Sequence, residues 1–312
     1  MTKAAGQNLA ASIRARLLSL AHDKGEDYQR VLGNYAIERF LYRLGQSPYR
    51  DRFALKGATL FTLWTGHTHR PTKDLDLLGR QLSSDISDVE KTIRLICEIP
   101  GADGIQFDGE SVQGARIKED EEYEGVRVKL LAQLAGARIP MQVDIGFGDA
   151  VYPEPELASF PVLLPMEAPV IRAYPREAAI AEKFHAMVDL DIRNSRMKDF
   201  YDIWFMAKTW TFDIRSLRDA IAASFRSRGS VVPDDVPFAL TDGFLKDTQK
   251  NVQWNAFVSR LNAGHDKAPS LEEVGAVLRA FLLPCISAKS AVHNDLGSWT
   301  PGRHWHTTKH DR

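Results

Sequence analysis

The chain has very little cysteine: two residues in 312, Cys97 and Cys285. Each lies in an apolar, helical-looking stretch (IRLICEI and FLLPCIS), far from a second cysteine or a histidine at metal-site spacing. A disulfide framework and a zinc cluster are therefore not expected, and two buried reduced thiols are. The chain also lacks an excess of charge of either sign. Lys and Arg number 40 against 41 Asp and Glu, a net charge of −1, so no global basic surface exists to hold a polyanion and any such partner must be met by a local patch. No apolar run reaches the roughly 18 residues that a membrane span needs. The N-terminal MTKAAGQNLAASIRARLL is amphipathic but has no continuous apolar core or cleavage site. The expectation is a protein without membrane attachment, working in a cytoplasm of bacterial type.

What is present is enough apolar sequence, 44% hydrophobic against 26% charged residues, to bury one large core or two ordinary ones. Apolar positions recur at helical spacing over 7–22 and 28–45, followed by a short strand at 53–55, a glycine-opened helix at 57–64 and an alternating strand at 74–78. Ser84 and Asp85 cap a helix over 84–98, and strands are expected at 104–107, 125–131 and 140–147. The proline-dense segment 150–175 suits a crossing connection with edge strands. Helices are then expected over 176–191, 198–209, 213–226, about 247–262 and 270–284. This pattern predicts an α/β protein, more narrowly α+β, with a mixed-sheet core in residues 1–150 and a connection plus helical domain in 151–286. The polar, aperiodic 287–312 is expected to be a mobile tail.

The stretch KGATLFTLWTGHTHRPTKDLDLLG, residues 56–79, carries the chemistry. Asp74 and Asp76 are one residue apart on a strand, so both carboxylates project from the same face. Two carboxylates that close repel unless a cation lies between them, and hard oxygen donors suit Mg²⁺. Three neighbours strengthen a bare Asp-x-Asp. Gly57-Ala58-Thr59 follows a strand and opens a helix, a phosphate-sized site. Asp144 stands alone between Val143 and Ile145, which is costly without a metal or a partner. Lys56, Arg70 and Lys73 bracket the acids with positive charge. Together these describe a site for a metal-bound triphosphate.

The order strand, Gly-small-Thr turn, helix, Asp-x-Asp strand and a later strand with a third Asp resembles the minimal nucleotidyltransferase core of the DNA polymerase β superfamily. More narrowly, LKGATLFTLW…RPTKDLDLLG, AEKFHAMVDL…RMKDFYDIW and NVQWNAFVSRL resemble the AbiEii/MenT nucleotidyltransferase toxins over about residues 30–262. The resemblance implies that Asp74 and Asp76 are metal ligands and that Gly57 and Thr59 form the nucleotide-phosphate turn. It also makes Lys183 the lysine of a second motif and Asp199 the aspartate of its Lys-Asp pair. Asp144 fits the third carboxylate of the wider superfamily. Ala58 departs from the usual Gly-Gly or Gly-Ser turn and leaves phosphate contact to Thr59 or to backbone amides.

The implied activity is Mg²⁺-dependent transfer of nucleotides from NTP to the 3′ end of tRNA by the toxin of a toxin–antitoxin or phage-defence pair, with a cognate antitoxin protein as partner. A protein hydroxyl or a small molecule is an alternative acceptor, and a non-catalytic nucleotide-binding protein is the reading from another class. Asp202, three residues after Asp199, shares its helix face and serves equally well as a helix-start ion pair. Arg193, Arg196 and Lys198 read as a solvated basic loop or an RNA contact. Trp204, Phe205, Trp210 and Trp254 read as core. His67, His69 and the tail histidines carry no assigned role.

Overall fold

The computed structural model describes residues 3–119, 123–148, 150–261, 269–287, 296–302 and 304–307. The chain divides into two compact units, Met1–Asp149 with Pro155–Tyr174, and Ala150–Glu154 with Pro175–Arg312.

The first unit is built on a seven-stranded mixed sheet. Its strands are β1 (Phe53–Lys56), β2 (Asp74–Gly79), β3 (Ile105–Glu119), β4 (Tyr123–Leu134), β5 (Ala137–Phe147), β6 (Glu156–Ser159) and β7 (Val170–Ala173), in the order β3-β4-β5-β2-β1-β7-β6. β2 runs parallel to β5 and β1 parallel to β7, while β1/β2, β3/β4, β4/β5 and β6/β7 are antiparallel. Side chains alternate, so one face collects Leu55, Leu75, Leu77, Val126, Val128, Val143 and Ile145, all fully buried. Helix α2 (Tyr28–Gln46) lies against β5 and β7, and α4 (Ile86–Cys97) against β3 and β4. The sheet also carries α1 (Lys3–Lys24) and the short α3 (Thr59–Thr65). The expected strand at 104–107 is longer, because Gln113–Glu119 continues it past a bulge that opens after Asp108.

The second unit is helical: α5 (Arg176–Leu190), α6 (Met197–Thr209), α7 (Ile214–Ser227), α8 (Asp242–Leu245), α9 (Thr248–Leu261) and α10 (Leu271–Ile286). It also holds a three-stranded sheet of β8 (Phe212–Asp213), β9 (Leu296–Trp299) and β10 (Trp305–Thr307), ordered β10-β9-β8. Two of these strands fall in the segment expected to be a mobile tail. Trp299 and Trp305 explain them. Both indoles are buried with Phe281, and their ring N–H groups donate to Ala207 O at 2.7 Å and Phe281 O at 3.0 Å. Strands of four and three residues are too short for a periodicity signal. Residues 288–295, 303 and 308–312 of that segment lie outside the described residues.

Cys97 and Cys285 are free and buried, and burial pushes the Cys97 thiol up to about 12. Trp254 is core, whereas Trp204, Phe205 and Trp210 are only half-buried. Trp210 instead carries the Arg176 guanidinium 4.2 Å from its ring centroid.

Candidate active site

The turn after β1 is shaped by Gly57, whose φ is +71°, in the left-handed region that favours glycine. A Cβ there would overlap the Asp76 carboxylate, so the backbone lies directly against that side chain. Thr59, the first residue of α3, is 4% exposed and its hydroxyl has no hydrogen-bond partner among the described residues. An unpartnered buried hydroxyl costs about 1–3 kcal/mol. The turn therefore holds a donor and acceptor in reserve.

Register does the rest. On β2, Asp76 pairs with Lys56 of β1 on one side and Asp144 of β5 on the other, and Asp144 pairs with Arg127 of β4. Lys56, Asp76, Asp144 and Arg127 thus form one row across four strands, on the face opposite the core. The next row is Asp74, Gln142 and Lys129. Asp74 and Asp76 are half-exposed while Leu75 and Leu77 between and beyond them are buried, as the alternation requires. Arg70, half-buried, and Lys73, exposed, lie in the loop that leads into β2. The Lys56 ammonium is 5.9 Å from the Tyr174 ring centroid.

Asp144 has the partner that its apolar neighbours demanded. Arg127 Nε donates to Oδ1 at 2.9 Å and Nη2 to Oδ2 at 2.7 Å, and Gln142 Nε2 adds a third bond at 3.2 Å. A carboxylate offers about four acceptor positions. Three are taken here, so the Asp144 charge is balanced by a planar bidentate guanidinium. Arg127 and Gln142 were not singled out from the sequence. Alternation marks both as outward-facing, but only strand register says what they face.

Metal fit follows from the donor set. Among the described residues no group of three or more His, Cys, Asp or Glu side chains is arranged to hold an ion. Asp74 and Asp76 nonetheless offer two hard carboxylates on one accessible face. That matches Mg²⁺, which usually binds through one or two carboxylates and completes its shell with water and phosphate oxygens.

Lys183, Asp199 and Asp202 belong to the second unit. Lys183 Nζ lies 3.0 Å from Asp199 Oδ1 and 2.8 Å from Asp202 Oδ2, and both carboxylates are within 1% of fully buried. Arg196 Nε reaches Asp199 Oδ2 at 2.7 Å. Burial alone would raise the Asp199 carboxyl, but Lys183, Arg196 and Lys198 hold it below its ordinary value. A further residue absent from the sequence reasoning steadies this cluster. Buried Lys250 of α9 donates to Ile192 O at 2.7 Å and Asn194 O at 2.8 Å, pinning the loop that delivers Arg196 and the start of α6. A lysine just ahead of NVQW gives no sign of that role.

A seven-stranded mixed sheet that brings an Asp-x-Asp strand into register with a third aspartate, behind a strand–glycine–helix turn, defines an α+β protein with a fold of the nucleotidyltransferase kind. Residues 39–278 match the model of the nucleotidyl transferase AbiEii toxins of type IV toxin–antitoxin systems. The chain belongs to that family. Among solved structures, JHP933 from Helicobacter pylori is 17% identical and aligns over 82% of this chain and 93% of its own, with a TM-score of 0.47. A second H. pylori chain, described as a candidate nucleotidyltransferase, is 18% identical over 86% of this chain and 99% of its own, also at 0.47. Comparison with curated proteins gave no match. No helix among the described residues is long and apolar enough to cross a membrane.

Proposed function

We propose that this chain is a Mg²⁺-dependent enzyme that transfers a nucleotide from NTP to the 3′ end of tRNA in the cytoplasm, as the toxin of an antitoxin-controlled phage-defence pair. The observation that carries it is the row of Asp76 and Asp144 beside Asp74 on the sheet face opposite the core, with Gly57 packed against Asp76. Asp74 and Asp76 would hold the metal, which when bound supplies charge neutralisation to the triphosphate. Asp144 is the third carboxylate, either joining the metal set or taking the proton of the attacking hydroxyl, and Arg127 and Gln142 fix its orientation. The acceptor 3′-oxygen forms a bond to the α-phosphorus as the bond to pyrophosphate breaks. Gly57 allows the backbone to approach the phosphates, where the Thr59 hydroxyl has unused hydrogen-bonding capacity. Lys56, Arg70 and Lys73 add positive charge for the nucleotide. Family resemblance assigns Lys183 to the phosphates and Asp199 to tuning it.

The test is incubation of the purified protein with labelled NTPs and total RNA, with Mg²⁺ or with EDTA. Label should enter RNA only with metal, and Asp76→Asn, which keeps shape but removes a charge, should lower transfer by roughly 10²-fold or more while the circular dichroism spectrum is retained. Wild type should arrest growth without its antitoxin, and Asp76→Asn should not. Full transfer by Asp76→Asn would refute the metal assignment, and label in protein instead of RNA would refute the acceptor.

A further inference from the structure

Over β4 and β5 the sheet of the first unit has one buried face and one whose residues are exposed or half-exposed among the described residues. Along β4 that face presents Arg127, Lys129, Leu131 and Gln133; along β5 it presents Arg138, Pro140, Gln142 and Asp144. Lys129, Gln133, Arg138 and Pro140 are exposed, whereas Val126, Val128, Leu130, Ile139, Met141 and Val143 of the opposite face are buried. The basic residues are therefore not accounted for by core packing on their own face.

Their charge is one-sided. The face carries three cations and one acid, and that acid, Asp144, is the one Arg127 already neutralises. On the adjoining strand, the Asp108 carboxylate accepts from the Glu110 N–H at 3.1 Å in the β3 bulge. In a chain whose net charge is −1, a stripe of Arg138, Lys129 and Arg127 with no free acid among them is a local departure from the average. Its direction matters too. The rows step from Gln133/Arg138 through Lys129/Gln142 to Arg127/Asp144, and the last row continues directly into Asp76. Arg127 and Lys129 are two residues apart on a strand, about 6.7 Å, close to the spacing of consecutive phosphates in an extended single strand.

We infer that this face of the β4–β5 ribbon is the track on which the single-stranded end of a nucleic-acid acceptor lies, its phosphates met by Arg138 and Lys129 beside the Arg127–Asp144 pair, so that its terminal hydroxyl arrives at Asp144 and Asp76. This rests on the transfer function proposed above and names the surface that serves it. Arg127, Lys129, Leu131 and Gln133 of β4 and Arg138, Pro140, Gln142 and Asp144 of β5 include no aromatic ring on which bases could stack, so binding at these positions comes from phosphates and is indifferent to sequence. Arg127 is balanced by Asp144, so the two remaining cations, Lys129 and Arg138, give a slope of log affinity against log salt of about −1.4 on a single strand.

The experiment is fluorescence anisotropy of a short 5′-labelled single-stranded RNA of mixed sequence with the full chain, in EDTA and without NTP, across a salt series. Lys129→Ala and Arg138→Ala alter exposed strand positions and leave the Arg127–Asp144 pair in place. Each should weaken binding several-fold at low salt and reduce the slope by about 0.7, and the double variant should fall to about zero. Unchanged affinity and slope in the double variant, in a protein that still labels RNA, would overturn the track while leaving the transfer function standing. Wild type that binds no RNA and labels protein would remove both. Unchanged RNA binding together with loss of antitoxin association in the double variant would assign the face to a protein partner and overturn the track.

Discussion

Lys183 sits between two buried carboxylates, and that position gives it a structural duty whatever it does for a phosphate. Removing one member of a buried ionic cluster leaves the others uncompensated, at a cost of about 3–5 kcal/mol. Lys183→Ala should therefore lower the denaturation midpoint of the protein as well as its activity, measured by urea unfolding followed by circular dichroism. Unchanged stability would mean that the cluster does not hold the helical unit together. Asp199 adds a pH dependence of known sign. Its folded value is depressed below 3.8, so it contributes stability above that pH and loses it as pH falls through the depressed value. Gly57 makes the opposite kind of demand: its role is to have no side chain, because Asp76 occupies the space one would need.

The β4–β5 hairpin sets the register on which the candidate site depends. Its loop is Ala135-Gly136, both with positive φ (46° and 81°), which is the conformation of a two-residue type I′ turn between Leu134 and Ala137. A slip of one residue would turn Arg127 away from Asp144 and bring valines to the open face. Alanine is a poor occupant of the left-handed region, which costs an ordinary L-residue roughly 1–2 kcal/mol, whereas asparagine visits it readily. Ala135→Asn should stabilise the protein by about 0.5–1 kcal/mol, read as a raised thermal midpoint with transfer unchanged. A lowered midpoint would show that the loop tolerates its strain for the sake of another contact. The Ala135 carbonyl, which accepts from Arg14 Nη1 of α1 at 2.7 Å, is the contact to examine next.

Across the first unit, polar contacts of buried Glu38, Arg39 and Arg43 tie α2 to the β6–β7 connection and to the loop before β3. Glu38 Oε2 accepts from Leu163 N–H at 2.7 Å, Arg39 donates to Glu167 O at 2.8 Å, and Arg43 grips Asp103 at 2.7 and 3.0 Å. Burial raises the Glu38 carboxyl from 4.5 to about 7, outweighing the Leu163 N–H and the Arg39 guanidinium 3.1 Å away. A raised folded value means that this group's contribution is fully present below 4.5 and is lost as pH rises toward 7. Glu38→Gln should accordingly unfold at higher urea than wild type at about pH 8, with the gain shrinking as pH is lowered to about 5. An equal gain at both pH values would remove Glu38 from the account of pH-dependent stability.

Most of the element order was legible in the sequence, because helical and strand periods, glycine turns and proline density are local properties of a chain. The same holds for Asp74 and Asp76 sharing a face, which needs only the two-residue period of a strand, and for the Gly57 turn ahead of them. Family membership could be read from spaced motifs for the same reason. The pairing of Asp144 with Arg127, the loop pinned by Lys250 and the strands formed around Trp299 and Trp305 could not. Each joins residues whose local patterns do not mention one another. β2 meets β5 in parallel register, each residue pairing with one 68 positions further along the chain (Asp76 with Asp144), and the choice among possible registers is made by burying a whole face at once. The sequence by itself determined which carboxylates stand side by side on one strand. Only the tertiary structure decided which cation each would face, because a charge's partner is set by packing between distant segments and not by its neighbours in the chain.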